Sequence, residues 1–178
     1  GQEDNMHDHY PFTGYILDGG KAQVTMPDGK VNEREFPSGF IAHNGNGVRH
    51  KVKNIDSKDI NVILIEHKKL GSIPTFDNNV KLSAHVVSPD IYEIVHEDEL
   101  IKVYTATFPA GSSDNVHEHG MNTAYVITGG KVEITGADGS VNERNIPDGA
   151  VLHSDKLVRH QVKNIGTTDI KVLLAEYK

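Results

Sequence analysis

Residues 7–68 recur 110 positions later as residues 117–178, without a gap and with 30 identities in 62 aligned pairs. Unrelated segments would share about four or five, so the chain reads as one module written twice. Asp28-Gly29-Lys30-Val31-Asn32-Glu33-Arg34 lies over Asp138-Gly139-Ser140-Val141-Asn142-Glu143-Arg144. Val48-Arg49-His50 lies over Val158-Arg159-His160. A repeat of this length confines each module to a small fold with its own core.

Within the repeat the pattern is that of strands. Lys131-Val132-Glu133-Ile134-Thr135 alternates polar and apolar residues, as a half-buried strand does. Asp28-Gly29 and Asp138-Gly139 stand between such runs and predict hairpins, and Gly19-Gly20 and Gly129-Gly130 predict further turns. No segment keeps a 3.6-residue period. Short strands with frequent turns predict an all-β chain whose modules are β-sandwiches or barrels. The modules differ at their starts. Lys81–Val87 and Leu100–Phe108 give the second module two opening strands, whereas only six residues precede His7. The expected organisation is a partial N-terminal module at 1–68, lacking its opening strands, a linker at 69–80, and a complete module at 81–178.

Charge and composition narrow the partners. A net charge of −7 argues against nucleic acid as a partner. The longest apolar runs are four or five residues, far short of the roughly 20 that cross a membrane as a helix. There is no cysteine, which removes disulfides, thiolate catalysis and cysteine metal ligands and leaves the compartment open. The expected protein is soluble, exported if a signal peptide was removed before Gly1, and directed at a small molecule.

Eight of the 11 histidines fall in repeat-paired positions: His7/His117, His9/His119, His43/His153 and His50/His160. His117 and His119 sit two apart, so on a strand they share a face. If the strand bearing His160 lines the same interior, three neutral imidazoles converge on one divalent ion with open positions for water or substrate. His7, His9 and His50 repeat the set. Imidazole ligation admits Fe, Zn, Ni, Cu or Mn.

The second module resembles the cupin superfamily. The first cupin motif, G-x5-H-x-H-x(3,4)-E-x6-G, meets Gly111, His117, His119, Thr123 and Gly130, with Thr123 where the family has Glu. The second, G-x5-P-x-G-x2-H-x3-N, meets Gly149, His160 and Asn164, with Asp155 and Leu157 in place of the inner Pro and Gly. The first module matches at His7, His9 and Gly20, again with Thr13 in the Glu position, then at Gly39, Gly47, His50 and Asn54, with Gly45 in place of Pro. The chain thus resembles a bicupin, similar to short bacterial cupins of unassigned function, and the resemblance implies two tandem jelly-roll β-barrels, the first lacking its opening strands. The resemblance implies a metal site of three histidines and an activity such as a small-molecule oxygenase or isomerase. The alternative is a non-catalytic cupin that binds a small ligand or partner chain, with one or both metal sites lost.

Strand parity places Thr123, Tyr125 and Ile127 on the histidine face, making Tyr125 a candidate catalytic phenol and His153 a candidate proton shuttle. Ile16 and Val126 then point outward, where they would join the modules. The opening edge of the first module is expected to be covered, preferably in a homodimer. His7 and His9, close to the chain start and without a preceding strand, are expected to hold metal less tightly than His117 and His119.

Overall fold

The Asp-Gly turns form where the repeat puts them. Asp28 Oδ1 accepts the Lys30 N–H and Asp138 Oδ1 accepts the Ser140 N–H, while Gly29 and Gly139 take φ of 82° and 79°. Those left-handed values suit glycine, which has no Cβ to clash. A computed structural model describes residues 1–66 and 79–178 of the chain. Its contacts divide it into two units, Gly1–Pro74 and Thr75–Lys178. Most of the linker expected at 69–80, and His67 before it, lies outside the described residues.

The first unit carries β1 (His7–His9), β2 (Phe12–Asp18), β3 (Gly20–Thr25), β4 (Val31–Phe36), β5 (Ile41–Asn44), β6 (Val48–Asn54) and β7 (Asn61–Glu66). They form a four-stranded sheet in the order β1-β6-β3-β4 and a three-stranded sheet β5-β2-β7. The second unit carries α1 (Ala84–Val87), β8 (Tyr92–Glu97), β9 (Ile101–Phe108), β10 (His117–His119), β11 (Asn122–Thr128), β12 (Gly130–Gly136), β13 (Val141–Ile146), β14 (Val151–Ser154), β15 (Val158–Asn164) and β16 (Ile170–Tyr177). Here the sheets are β10-β15-β12-β13 and β14-β11-β16-β9-β8. Among the described residues the structure is all-β but for one short helix, and its sheets are open ones rather than closed barrels. No helix among the described residues is long and apolar enough to cross a membrane.

The register of the first unit returns 110 residues later. His7 faces His50 and His117 faces His160; Phe12 faces Glu66 and Asn122 faces Glu176. Even the irregularity after Ile16 recurs after Val126. In the second unit Tyr92, Ala106, Phe108 and Ile170 of the five-stranded sheet meet Val132, Ile134 and Val162 of the other. Tyr104, Ala124 and Leu174 extend that core with Ile94 and Val172. In the first unit the strands corresponding to β8 and β9 have no equivalent among the described residues, and β7 pairs with β2 alone.

Three expectations are corrected. Ala84–Val87, expected to be part of an opening strand, is one helical turn. The Glu118 carboxylate accepts the Lys81 and Leu82 N–H groups and bends the chain there, and the opening strand β8 forms later, at Tyr92. Ile16 and Val126 face inward: Ile16 lines the interior of its unit, and Val126, fully buried, lies opposite Val172. Parity fails because the histidine strand ends at His119, Gly120-Met121 turn the corner, and the next strand belongs to the other sheet. Finally, the chain start is tied down. Asp4 N–H donates to Val52, Asn54 N–H donates to Gln2, and Glu3 bridges to Lys53, so a short segment extends the edge of β6 ahead of β1.

The paired glycines give a direct test of the fold. A Cβ on Gly129 would strike the Ile146 carbonyl oxygen and crowd the Pro147 carbonyl carbon, and one on Gly19 would strike the Phe36 carbonyl. These are backbone atoms held in a sheet, so they cannot give way. Gly129→Ala is expected to destabilise the protein by about 3 kcal/mol or more. Gly139→Ala, with open space around the Cβ and only the positive φ to oppose it, is expected to cost about 1 kcal/mol. Urea unfolding midpoints of the two variants check the ranking.

Candidate metal centre

Antiparallel pairing of β10 with β15 puts His117 directly opposite His160, and alternation puts His119 on the same face. His117 Nε2 stands 2.9 Å from His119 Nε2 and 3.0 Å from His160 Nε2. The rings pack edge to face, with centroids 4.6 to 5.6 Å apart. In the first unit β1 and β6 repeat this: His7 Nε2 lies 2.8 Å from His9 Nε2, and both rings meet His50 at about 5 Å. Each set of three residues forms a group able to surround a single ion.

The outer nitrogens fix the tautomers. His117 Nδ1 donates to the Asn115 carbonyl at 2.9 Å, and a carbonyl can only accept. His119 Nδ1 donates to the Glu176 carboxylate at 3.0 Å. In the neutral ring each Nε2 is then unprotonated, and two lone pairs face each other at 2.9 Å. The first unit holds the same arrangement, with His7 Nδ1 on Asn5 O at 2.7 Å and His9 Nδ1 on Glu66 at 2.7 Å. Opposed lone pairs at this range repel unless a cation lies between them. Two nitrogens bound at right angles to one ion at about 2.1 Å stand about 3.0 Å apart, so the spacing fits a divalent ion.

Burial favours the neutral form of His117 and His160. It pulls His117 down to about 3, with further lowering from His119, and pulls His160 down to about 4 for the same reasons. His50 is lowered by burial and then by His9 and His7. Below the second triad, the Tyr92 hydroxyl donates to Asp114 at 2.8 Å and reaches to 3.3 Å from His117 Nε2. Burial drives the Asp114 carboxyl up to about 6, although it accepts the Val162 N–H and the Tyr92 hydroxyl.

The supporting residues were not singled out by the sequence reading. Glu66/Glu176 are identical partners in the repeat and lie at the last or last-but-one position of the corresponding strands β7 and β16. Gly1, Asp4 and Asn5 match Gly111, Asp114 and Asn115, so the likeness begins six residues before His7. Asp4 Oδ1 accepts the Val52 N–H as Asp114 Oδ1 accepts that of Val162. Extending the alignment upstream, and noticing that a carboxylate is kept at the end of each module, would have found them.

Tyr125 and His153 are not brought to the triad. Asn122, Ala124 and Val126 are the inward residues of β11, so Thr123 and Tyr125 point the other way. Thr123 Oγ1 and His153 Nδ1 share a hydrogen bond of 2.9 Å, and His153 is exposed. Thr13 and His43 repeat the contact at 3.1 Å. Thr123 therefore does not stand in the carboxylate ligand position that the motif comparison assigned it. Arg159 faces away from the triad and pairs with Glu118 at 3.6 Å, as Arg49 pairs with Asp8. Asn54 and Asn164 close turns by accepting the Asp56 and Gly166 N–H groups.

Paired antiparallel sheets with a histidine-lined interior define the class of fold, and the comparisons name it. The chain superposes on AerE from Microcystis aeruginosa with a TM-score of 0.69, at 16% identity over 99% of this chain and 82% of that one. It superposes on Bacillus subtilis oxalate decarboxylase at 0.63, with 15% identity over 98% of this chain and 65% of that one. A cupin 2 conserved barrel domain protein from Leptotrichia buccalis gives 0.54, with 17% identity over 98% and 79%. The chain has the cupin fold. No family model and no curated protein matches it by sequence.

Proposed function

We propose that the chain is a metal-binding bicupin, two tandem cupin modules in which His7, His9 and His50 hold one divalent ion and His117, His119 and His160 hold another. The observation that carries this reading is the facing of unprotonated Nε2 atoms in both units, fixed by the carbonyl and carboxylate on the far side of each ring. Glu176 and Glu66 act as positioning residues, orienting His119 and His9 and raising their basicity as ligands. Three neutral ligands leave the full positive charge on an ion, which supplies Lewis acidity or, with iron, manganese or copper, redox chemistry toward a small oxygen-donor ligand. Mn(II) centres named for Bacillus subtilis oxalate decarboxylase add weight to manganese among Fe, Zn, Ni, Cu and Mn. The activity proposed is that of a small-molecule oxygenase or isomerase.

In the second module the polar side chain nearest the ligand nitrogens is Tyr92, held by Asp114. Tyr125 and His153 stay outside this reading. The tautomers provide the test. Long-range proton–nitrogen NMR of the metal-free protein at neutral pH should show His117 and His119 protonated at Nδ1, and zinc should shift Nε2 while leaving the Nδ1 protons in place. Protons on Nε2, unmoved by zinc, would refute the reading. Turnover that requires the metal separates the enzyme from a binding protein.

A further inference from the structure

The hydroxyl of Tyr92 reaches the second triad from the other sheet. Tyr92 opens β8 and lies opposite Ala106 of β9, and both belong to the core between the sheets. Phe108 and Tyr104 hold its ring edge to face, with centroids 5.9 and 6.4 Å away. The ring meets His117 and His119 at 5.2 and 6.0 Å, and the residue is 6% exposed.

Its one proton is engaged. The hydroxyl donates to Asp114 Oδ2 at 2.8 Å, a bond to a carboxylate that is shorter than the 3.3 Å to His117 Nε2. Asp114 is fixed to receive it. Its Oδ1 accepts the Val162 N–H at 2.7 Å, Gln161 Nε2 donates to its carbonyl at 2.7 Å, and it is 3% exposed. With the proton aimed at Asp114, the Tyr92 oxygen turns lone pairs toward His117 Nε2, whose own lone pair faces it because Nδ1 donates to Asn115. Two acceptors oppose each other here as the imidazoles do, in a buried place where only a cation between them relieves the repulsion. Donors about 2.1 Å from one ion stand about 3.0 Å apart at right angles and about 3.4 Å apart at the tetrahedral angle. The 3.3 Å between Tyr92 Oη and His117 Nε2 lies between these. Thr123, by contrast, is turned to His153 and brings no oxygen to the triad.

We propose that Tyr92 is a ligand of the second site. Its phenol oxygen joins His117, His119 and His160 in a set of three nitrogens and one oxygen, and Asp114 is the positioning residue that aims it. This rests on the three-histidine reading above and deepens it. On coordination the Tyr92 O–H bond opens and the proton passes along the existing hydrogen bond to Asp114 Oδ2. The Tyr92–Asp114 pair keeps its single negative charge, which now sits on the ligand oxygen. Four protein donors close a tetrahedral zinc site, whereas an ion that takes six ligands keeps two positions for water or substrate.

The test is absorption spectroscopy of the tag-free full chain carrying His50→Ala, so that iron is held at the second site. The protein is loaded with Fe(II) without oxygen and oxidised with ferricyanide. A phenolate on Fe(III) is expected to give an intense visible charge-transfer band, and Raman excitation within that band should enhance tyrosine ring vibrations. Tyr92→Phe should keep its iron at saturating concentration and lose the band, while Tyr104→Phe should keep both. 3-Fluorotyrosine in place of Tyr92 preserves the ring and hydroxyl and should move the band to higher energy. Asp114→Asn keeps an acceptor for the Val162 N–H but cannot take the proton, and should weaken the band at unchanged iron content; an unaltered band would remove Asp114 from the proposal. Iron bound through His160 without the band overturns the Tyr92 ligand and leaves the three-histidine reading standing. So does a band that survives Tyr92→Phe and is unmoved by the fluorinated residue. Iron content that His160→Ala does not lower, or no bound iron at all, overturns both.

Discussion

Replacing His160 with alanine should abolish the slow phase of zinc release to a chelator, and replacing His50 should abolish the fast one. The ranking rests on burial and bracing. His117 and His119 are 0% and 4% exposed, whereas the His7 side chain is 35% exposed. A ligand shielded from water is reached slowly by a chelator, and a ring held at its far nitrogen keeps its lone pair aimed at the ion. The second triad has the Glu176 and Asn115 contacts and adds Tyr92 on Asp114, which the first unit lacks among the described residues. The chain start does not explain the difference, because Gln2–Asp4 are paired with β6. His160→Ala should weaken its site roughly a hundredfold or more, and Glu176→Gln should speed the slow phase about ten- to a hundredfold. With limiting metal, about one ion per chain should be retained. Loss of the slow phase in His50→Ala instead would assign the tighter site to the wrong module.

Stability of the metal-free protein should fall as the pH is lowered from 7.5 to 5. His117 and His160 have folded pKa values of about 3 and 4, below the ordinary 6.5 of the unfolded chain. Between those limits the unfolded state binds more protons, so stability rises with pH through this window and levels off above 6.5. Asp114 has the opposite sign: its folded value of about 6 lies above the ordinary 3.8, so the folded state binds the extra proton below pH 6. Two imidazoles outweigh one carboxyl, and the net loss at pH 5 is about 2 kcal/mol. Urea titrations of chelator-treated protein at the two pH values measure it, and the loss should shrink in His117→Gln. A wild-type protein equally stable at both, or more stable at pH 5, would mean that the triad is not buried in its neutral form.

The histidine triads were legible because the chemistry there is local: two histidines two apart on a strand, a third at fixed spacing, all repeated. Asp-Gly and Gly-Gly turns were legible for the same reason, since their demands are met within a few residues. What failed was inference across the corner at Gly120-Met121. Alternation holds within a strand, and β10 and β11 belong to different sheets, so Thr123, Tyr125 and Val126 all exchanged faces. Glu176 was missed because it lies 57 residues from His119 and meets it only through the pairing of β11 with β16.

The central claim is that each triad holds one ion, and equilibrium dialysis of tag-free protein against saturating zinc, followed by elemental analysis, tests it most directly. Two ions per chain are predicted in the wild type, one in either His50→Ala or His160→Ala, and none in the double variant. A zinc content unchanged by both substitutions, in protein that remains folded, would contradict the three-histidine sites in both modules.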